Sequence, residues 1–299
     1  MLKPEGIIPA MVTPFTEDGS LNEPAVRRLI EHLLKAGVHG IFVLGTNGEF
    51  FSMTEEEKVE LVRIAADAIG GRVPLYAGAG TITTAGTARL ARKLEEAGAD
   101  ALSVITPYFV PVTQAEMKRH YEAVAASVEL PILLYNIPSR TGVTLEVETV
   151  AALAELPNVV GIKDSSGNFE YVLQLIHRTG PWFAVMAGTD SLILSTLLAG
   201  GTGAVAASAN AAPHTVVSLY DQWRSGNLEE ARLRQQELGP IRKLMQMGTL
   251  PSALKEMVTQ LGIEVGPPRL PVQPVSPEIR QRIKEGLKAA GLGKESTPS

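Results

Sequence analysis

The 299-residue sequence predicts an α/β fold, a closed (β/α)8 TIM barrel carrying a C-terminal helical extension. Two observations predict it. Eight short, almost continuously apolar runs alternate with longer segments of helical periodicity, the signature of parallel strands covered by helices. After about Trp223 no strand pattern returns. A doubly wound open sheet would carry a Gly-rich phosphate turn after its first strand. Here the first strand runs into Thr13-Pro14-Phe15-Thr16, and neither G-x-G-x-x-G nor a P-loop occurs in the chain.

In order, the strands are expected at residues 7–13, 40–44, 74–77, 101–105, 131–135, 159–162, 183–187 and 204–207. The helical pattern between them is typified by Val59, Leu61, Val62, Ile64, Ala65 and Ala68. Ser52 and Thr54 precede Glu55-Glu56-Glu57, a cap followed by first-turn acids that complement the helix dipole. Gly37, Gly70-Gly71 and Gly98 stop helices just ahead of the next strand. Helices are expected at 227–247, 251–261 and 277–290, the last two separated by the Pro-rich stretch 266–274. The chain divides into a catalytic barrel, 1–224, and a helical region, 225–299, with the polar residues 293–299 as a frayed end.

Composition removes several function classes. With 45% hydrophobic and 20% charged residues the chain can bury a sizeable core, so disorder is excluded as its main state. A net charge of −5 with no basic run longer than Arg27-Arg28 argues against nucleic acid as a partner. There is no cysteine, so disulfides, thiolate metal sites and cysteine nucleophiles are absent. The five histidines (His32, His39, His120, His177, His214) show no ligand spacing, and no metal is expected. No apolar stretch is long enough to cross a membrane and the N-terminus lacks a secretory apolar region, so the expected location is cytoplasmic.

The chemically distinctive residues collect after strand ends, which converge on one face of a barrel. Lys163 follows the apolar run Val159-Val160-Gly161-Ile162, where desolvation penalises an ammonium. Either a carboxylate such as Asp164 pairs with it, or it is an amine that forms a Schiff base with a ketone. Tyr135 reads as a core tyrosine or as a proton shuttle beside that amine. Gly45-Thr46-Asn47-Gly48 is a tight turn whose backbone N–H groups can hold a carboxylate. Arg140 is a surface residue or a bidentate anion ligand. Glu49, Asp164 and Asp190 are the candidate carboxylates for glycoside hydrolysis, with nothing in the sequence to fix their separation.

Gly45-Thr46-Asn47-Gly48-Glu49, Tyr135-Asn136-Ile137-Pro138-Ser139-Arg140-Thr141-Gly142 and Gly161-Ile162-Lys163-Asp164 resemble, in order and spacing, the motifs of the dihydrodipicolinate synthase / N-acetylneuraminate lyase family. The likeness runs from Gly6 to beyond Asn210. It implies a TIM barrel with a helical C-terminal part, a homotetramer built as a dimer of dimers, and a lysine Schiff base with pyruvate or another 2-keto acid, without metal or nucleotide cofactor. Lys163 then matches the Schiff-base lysine and Tyr135 the proton relay. Thr46 and Asn47 match the turn that holds the keto-acid carboxylate, with the Thr46 hydroxyl continuing the relay. Arg140 matches the arginine that organises the second substrate, an aldehyde. Val205 and Gly188 match positions lining the pyruvate pocket.

Three positions depart from the synthase pattern. Phe109 stands where a second relay tyrosine, contributed across a dimer interface, is usual, so its hydroxyl is missing. Asn47 and Phe50 stand where Thr and a small polar residue are usual. These departures resemble aldolases that release pyruvate from 4-hydroxy-2-oxoglutarate or 2-keto-3-deoxy-sugar acids, whereas Ser139-Arg140-Thr141-Gly142 resembles the synthases. The balance favours a synthase condensing pyruvate with L-aspartate semialdehyde. Around Phe50, Phe51, Glu55, Lys58, Ile82 and Gly86 the polar set that binds lysine in feedback-inhibited synthases is missing. A catalytically silent keto-acid binding protein is the reading from a different class.

Overall fold

The computed structural model describes residues 2–292. Eight strands, β1 (Gly6–Pro9), β2 (Ile41–Val43), β3 (Leu75–Gly78), β4 (Ala101–Ile105), β5 (Ile132–Asn136), β6 (Val159–Asp164), β7 (Ala184–Ala187) and β8 (Gly203–Ala206), pair in parallel in the order β1-β8-β7-β6-β5-β4-β3-β2. The remaining gap, between β1 and β2, is bridged at Ala10 and Phe42, where Met11 N–H donates to the Phe42 carbonyl at 2.9 Å. The sheet is therefore a nearly closed barrel, in agreement with the eight runs read from sequence.

β4 matches expectation, five strands differ from it by one residue at one or both ends, and β1 and β6 differ by more at their C-terminal ends. β1 ends at Pro9 rather than Thr13, because beyond it side chains replace the ladder: Val12 N–H donates to Asn210 Oδ1 at 3.0 Å, and Asn210 Nδ2 donates to the Ala10 carbonyl at 2.8 Å. β6 runs two residues further than the apolar run, so Lys163 and Asp164 are strand residues in register with Tyr135 and Asn136. Hydrophobicity marks where a strand is covered by apolar neighbours, whereas pairing continues as long as the adjacent backbones do.

Around the barrel lie α1 (Glu23–Lys35), α2 (Glu55–Ile69), α3 (Thr84–Glu96), α4 (Gln114–Ala125), α5 (Pro138–Thr141), α6 (Val147–Leu153), α7 (Phe169–Thr179), α8 (Ile193–Leu198) and α9 (Pro213–Arg224). Thr54 caps α2 through a reciprocal box with Glu57, as its position before the acidic run suggested. The helical extension is α10 (Leu228–Met245), α11 (Ser252–Gln260) and α12 (Pro277–Ala289), each shorter than expected by one to three residues at its ends. The polar stretch 293–299 lies outside the described residues.

Alternate strand residues fill the barrel interior: Ile8, Ala10, Phe42, Tyr76, Ala101, Leu133, Met186 and Val205 form one buried cluster. A much larger cluster lies between strands and helices and takes in Leu254, Met257 and Val258 of α11. The extension is also tied to the barrel by polar contacts. Phe15 N–H donates to the Val265 carbonyl at 3.0 Å, and the Arg269 guanidinium binds the carbonyls of Gly19 and Ser52 and the carboxylate of Glu57. No helix among the described residues is long and apolar enough to cross a membrane.

Candidate active site

Lys163 faces the barrel interior because strand side chains alternate, and two residues back Gly161 leaves room beneath it. It is 4% exposed, and its Nζ sits 4.0 Å from the centroid of the Tyr135 ring and 5.0 Å from that of Phe42. Among the described residues it enters no ion pair. The neighbouring Asp164 is committed elsewhere, accepting from Asn136 Nδ2 at 2.8 Å and Ser166 Oγ at 2.7 Å, and burial pushes its carboxyl up against those hydrogen bonds. The ion-pair explanation for Lys163 therefore finds no partner among the described residues. What remains is an amine resting on two aromatic faces at the wall of a cavity.

Tyr135 is the register partner of Lys163 on β5, and its hydroxyl lies 3.4 Å from Thr46 Oγ1. Thr46 belongs to a turn held in place from both ends. Leu44 and Glu49 flank it with φ of 60° and 56°, left-handed conformations that cost non-glycine residues of order 1–2 kcal/mol each. Gly48 N–H donates to Gly45 O at 3.0 Å and Thr13 Oγ1 to Gly48 O at 2.6 Å. Among the described residues the N–H groups of Thr46 and Asn47 donate to no protein acceptor, which leaves two donors for an anion. The Asn47 side chain reaches the Ala10 carbonyl at 3.4 Å.

Glu49 ends that turn, and it is no free catalytic carboxylate. It is fully buried, with Oε1 2.9 Å from Lys255 Nζ of α11 and Oε2 accepting from Arg269 N–H at 2.8 Å. Burial lowers the Lys255 pKa more than its pairing with Glu49 restores it. Asp190 is equally occupied, accepting from the N–H groups of Ala207 at 3.2 Å and Ser208 at 2.7 Å. The three carboxylates considered for glycoside hydrolysis are thus each bound to structural partners. Among the described residues no group of three His, Asp or Glu side chains is placed to hold a metal.

One cavity of about 480 Å³ takes in Lys163, Tyr135, Thr46, Asn47, Arg140, Val205 and Gly188. Val205 is the interior residue of β8. Gly188 must lack a side chain: a Cβ there would lie 2.1 Å from Ser165 Oγ and 2.8 Å from the Asp164 carbonyl. Arg140, on α5, is exposed at the mouth and enters no ion pair among the described residues. Phe109 is not brought to this cavity. It is 86% exposed with φ 78°, on the loop after β4.

The helical extension supplies a wall that the sequence did not reveal: Arg242 and Met245 of α10 and Gln246, Gly248, Thr249 and Leu250 beyond it. Arg242 carried no signal, since one cation on an amphipathic helix reads as solvated surface.

Comparison with known proteins agrees with the barrel fold. The model of the dihydrodipicolinate synthetase family matches residues 3–290. The chain belongs to that family. Among its dihydrodipicolinate synthetase relatives is the 4-hydroxy-tetrahydrodipicolinate synthase of Methanopyrus kandleri, 38% identical over 290 residues, 96% of this chain and 97% of that one. Among solved structures, the YagE prophage protein of Escherichia coli K12, a dihydrodipicolinic acid synthase family member in complex with pyruvate, superposes with a TM-score of 0.93. It is 37% identical and the match covers 96% of this chain and 99% of that one. The Cyanidioschyzon merolae enzyme with lysine bound gives a TM-score of 0.93 at 32% identity, covering 96% and 99%.

Proposed function

We propose that this member of the dihydrodipicolinate synthetase family condenses pyruvate with L-aspartate semialdehyde through a Schiff base on Lys163. The observation that carries the reading is the placement of Lys163, a buried amine with no carboxylate partner among the described residues, against Tyr135 and within one cavity of the Thr46–Asn47 turn. The pyruvate carboxylate takes the free N–H groups of Thr46 and Asn47, which sets the ketone carbon before Nζ. The amine adds to that carbon. Tyr135, hydrogen-bonded to Thr46, carries a proton from the amine to the departing oxygen, and water leaves as the C=N bond forms.

The iminium draws electrons from the methyl carbon, which gives up a proton through the Tyr135–Thr46 hydroxyl pair to become an enamine, and the pair later returns a proton to the aldehyde oxygen. That carbon attacks the aldehyde, and hydrolysis of the new iminium frees Lys163. Arg140 at the mouth binds the carboxylate of the aldehyde substrate, while Val205 and Gly188 shape the floor. No metal or nucleotide enters this scheme. The barrel, 1–224, carries the chemistry, and the helical region, 225–299, contributes Arg242, Met245, Gln246, Gly248, Thr249 and Leu250 to the cavity wall. The active species is a cytoplasmic homotetramer, and the exposed Phe109 is the residue offered across its dimer interface.

A second reading keeps the same Schiff base and reverses the direction, releasing pyruvate from a 4-hydroxy-2-oxo or 2-keto-3-deoxy-sugar acid. The absence of a hydroxyl at Phe109 and the amide at Asn47 favour it. Pyruvate-dependent consumption of L-aspartate semialdehyde by the purified protein tests the choice. Rapid consumption supports condensation, whereas its absence together with pyruvate release from those acids supports cleavage.

A further inference from the structure

One inward-facing group of the barrel has no task in this scheme. Ser103 lies on β4 between the interior residue Ala101 and Ile105, in register with Gly78 and Leu133. Barrel interiors are normally filled by branched apolar side chains. Ser103 is 2% exposed, and its Oγ has no hydrogen-bond partner among the described residues, so no protein group offsets the desolvation cost of this hydroxyl. Beside it is a second, small void of about 10 Å³ whose lining includes Thr46 and Tyr135 as well as Ser103, with Phe42, Gly78 and Ile105.

That volume is about one water molecule's worth, and three of the lining residues carry hydroxyls, enough partners to hold one. We propose that Ser103 is a positioning residue that seats a single water against the Thr46–Tyr135 hydroxyl pair. The pair is 3.4 Å apart, long for an O–H···O bond, and either oxygen can donate. A third member fixes the direction: the water accepts from Ser103 and exchanges protons with Thr46, so that once the iminium has formed Tyr135 can take a proton from the pyruvate methyl carbon, pass one on through Thr46 and the water, and return one when the enamine reverts. The relay ends each step with the protons it began with, and it gains a third member in a chain whose residue 109 brings no hydroxyl.

The proposal rests on the Lys163 Schiff base, so the test separates the two. Borohydride trapping of pyruvate at Lys163 reads Schiff-base formation. Exchange of the pyruvate methyl hydrogens in D2O, followed by NMR, reads the enamine step with no aldehyde present. Ser103→Ala should trap pyruvate as completely as the wild type and exchange it about ten-fold more slowly or worse, less than the roughly 10²-fold that a group transferring the proton itself contributes, because Ser103 acts through the water. Ser103→Val, whose methyl groups fill the void, should lose at least as much. Thr196→Val on α8 removes another orphaned buried hydroxyl, outside the cavity, and should exchange normally. A hydroxyl with no water predicts the reverse sign: Ser103→Ala melting higher than wild type with unchanged exchange, which would overturn the proposal. Loss of trapping in the wild type would overturn it together with the Lys163 reading.

Discussion

Lys255→Met cuts the buried tie between the helical extension and the turn at Thr46. Lys255 is 2% exposed and Glu49 fully buried, and besides Glu49 the ammonium reaches the Pro267 carbonyl at 2.8 Å and lies 4.6 Å from the centre of the Phe15 ring. Methionine keeps the length of the side chain and removes the charge. Glu49 is then left with the Arg269 N–H as its remaining partner. Removing one member of such a pair costs about 3–5 kcal/mol, because the other charge stays buried and uncompensated. At roughly 2–4 °C per kcal/mol for a chain of this size, the melting temperature should fall by about 6–20 °C. Glu49→Gln/Lys255→Met removes both charges, and it should recover at least half of that loss. Thermal melts followed by circular dichroism give the stability, and the pyruvate concentration that half-saturates borohydride trapping gives the state of the turn. The single variant should need more pyruvate and the double variant less than the single. A single variant that melts with the wild type, or a double variant no better than the single, would refute the argument.

Tyr135→Phe keeps the ring under Lys163 and removes the hydroxyl, so turnover should fall about 10²- to 10⁴-fold while trapped adduct still accumulates, slowly; undiminished turnover would show the hydroxyl to be idle. Arg140→Ala should raise the KM of the aldehyde about 10- to 100-fold, the worth of a charge-assisted hydrogen bond, with pyruvate trapping unchanged; an unchanged aldehyde KM would remove Arg140 from the site. Lysine should inhibit weakly if at all. Glu55 is already held by Arg89 and Lys93, which bring its carboxyl down to about 2, and Phe51 and Ile82 are exposed apolar neighbours in the sequence region concerned, so a sub-millimolar inhibition curve would contradict this. Burial drives His120 from 6.5 to about 4, so the unfolded chain takes up the proton first. Its contribution is complete above pH 6.5 and is lost as the pH falls toward 4. His120→Gln should flatten that part of the curve of melting temperature against pH, and parallel curves for the two proteins would contradict it.

The barrel was legible because parallel strands buried on both faces leave continuous apolar runs, and all eight appeared where those runs are. The strand ends were less legible. Lys163 and Asp164 extend β6 through backbone pairing that hydrophobicity does not encode, and Asn210 substitutes for the ladder at the end of β1. Within the site, Lys163, Tyr135 and the turn at Thr46 stood out as polar residues at the ends of apolar segments. Glu49 also stood out, but its partner Lys255 lies 206 positions away on a helix legible only as part of the C-terminal extension. Arg242 was hidden for the same reason. Ser103 was invisible because a serine in a strand carries meaning only once its neighbours are known to be apolar or absent.

The central claim is that Lys163 forms the covalent adduct. Protein treated with pyruvate and borohydride and mapped by mass spectrometry should carry one reduced pyruvate on the peptide containing Lys163, and Lys163→Ala should carry none. An adduct elsewhere, or one that persists in Lys163→Ala, would contradict the account.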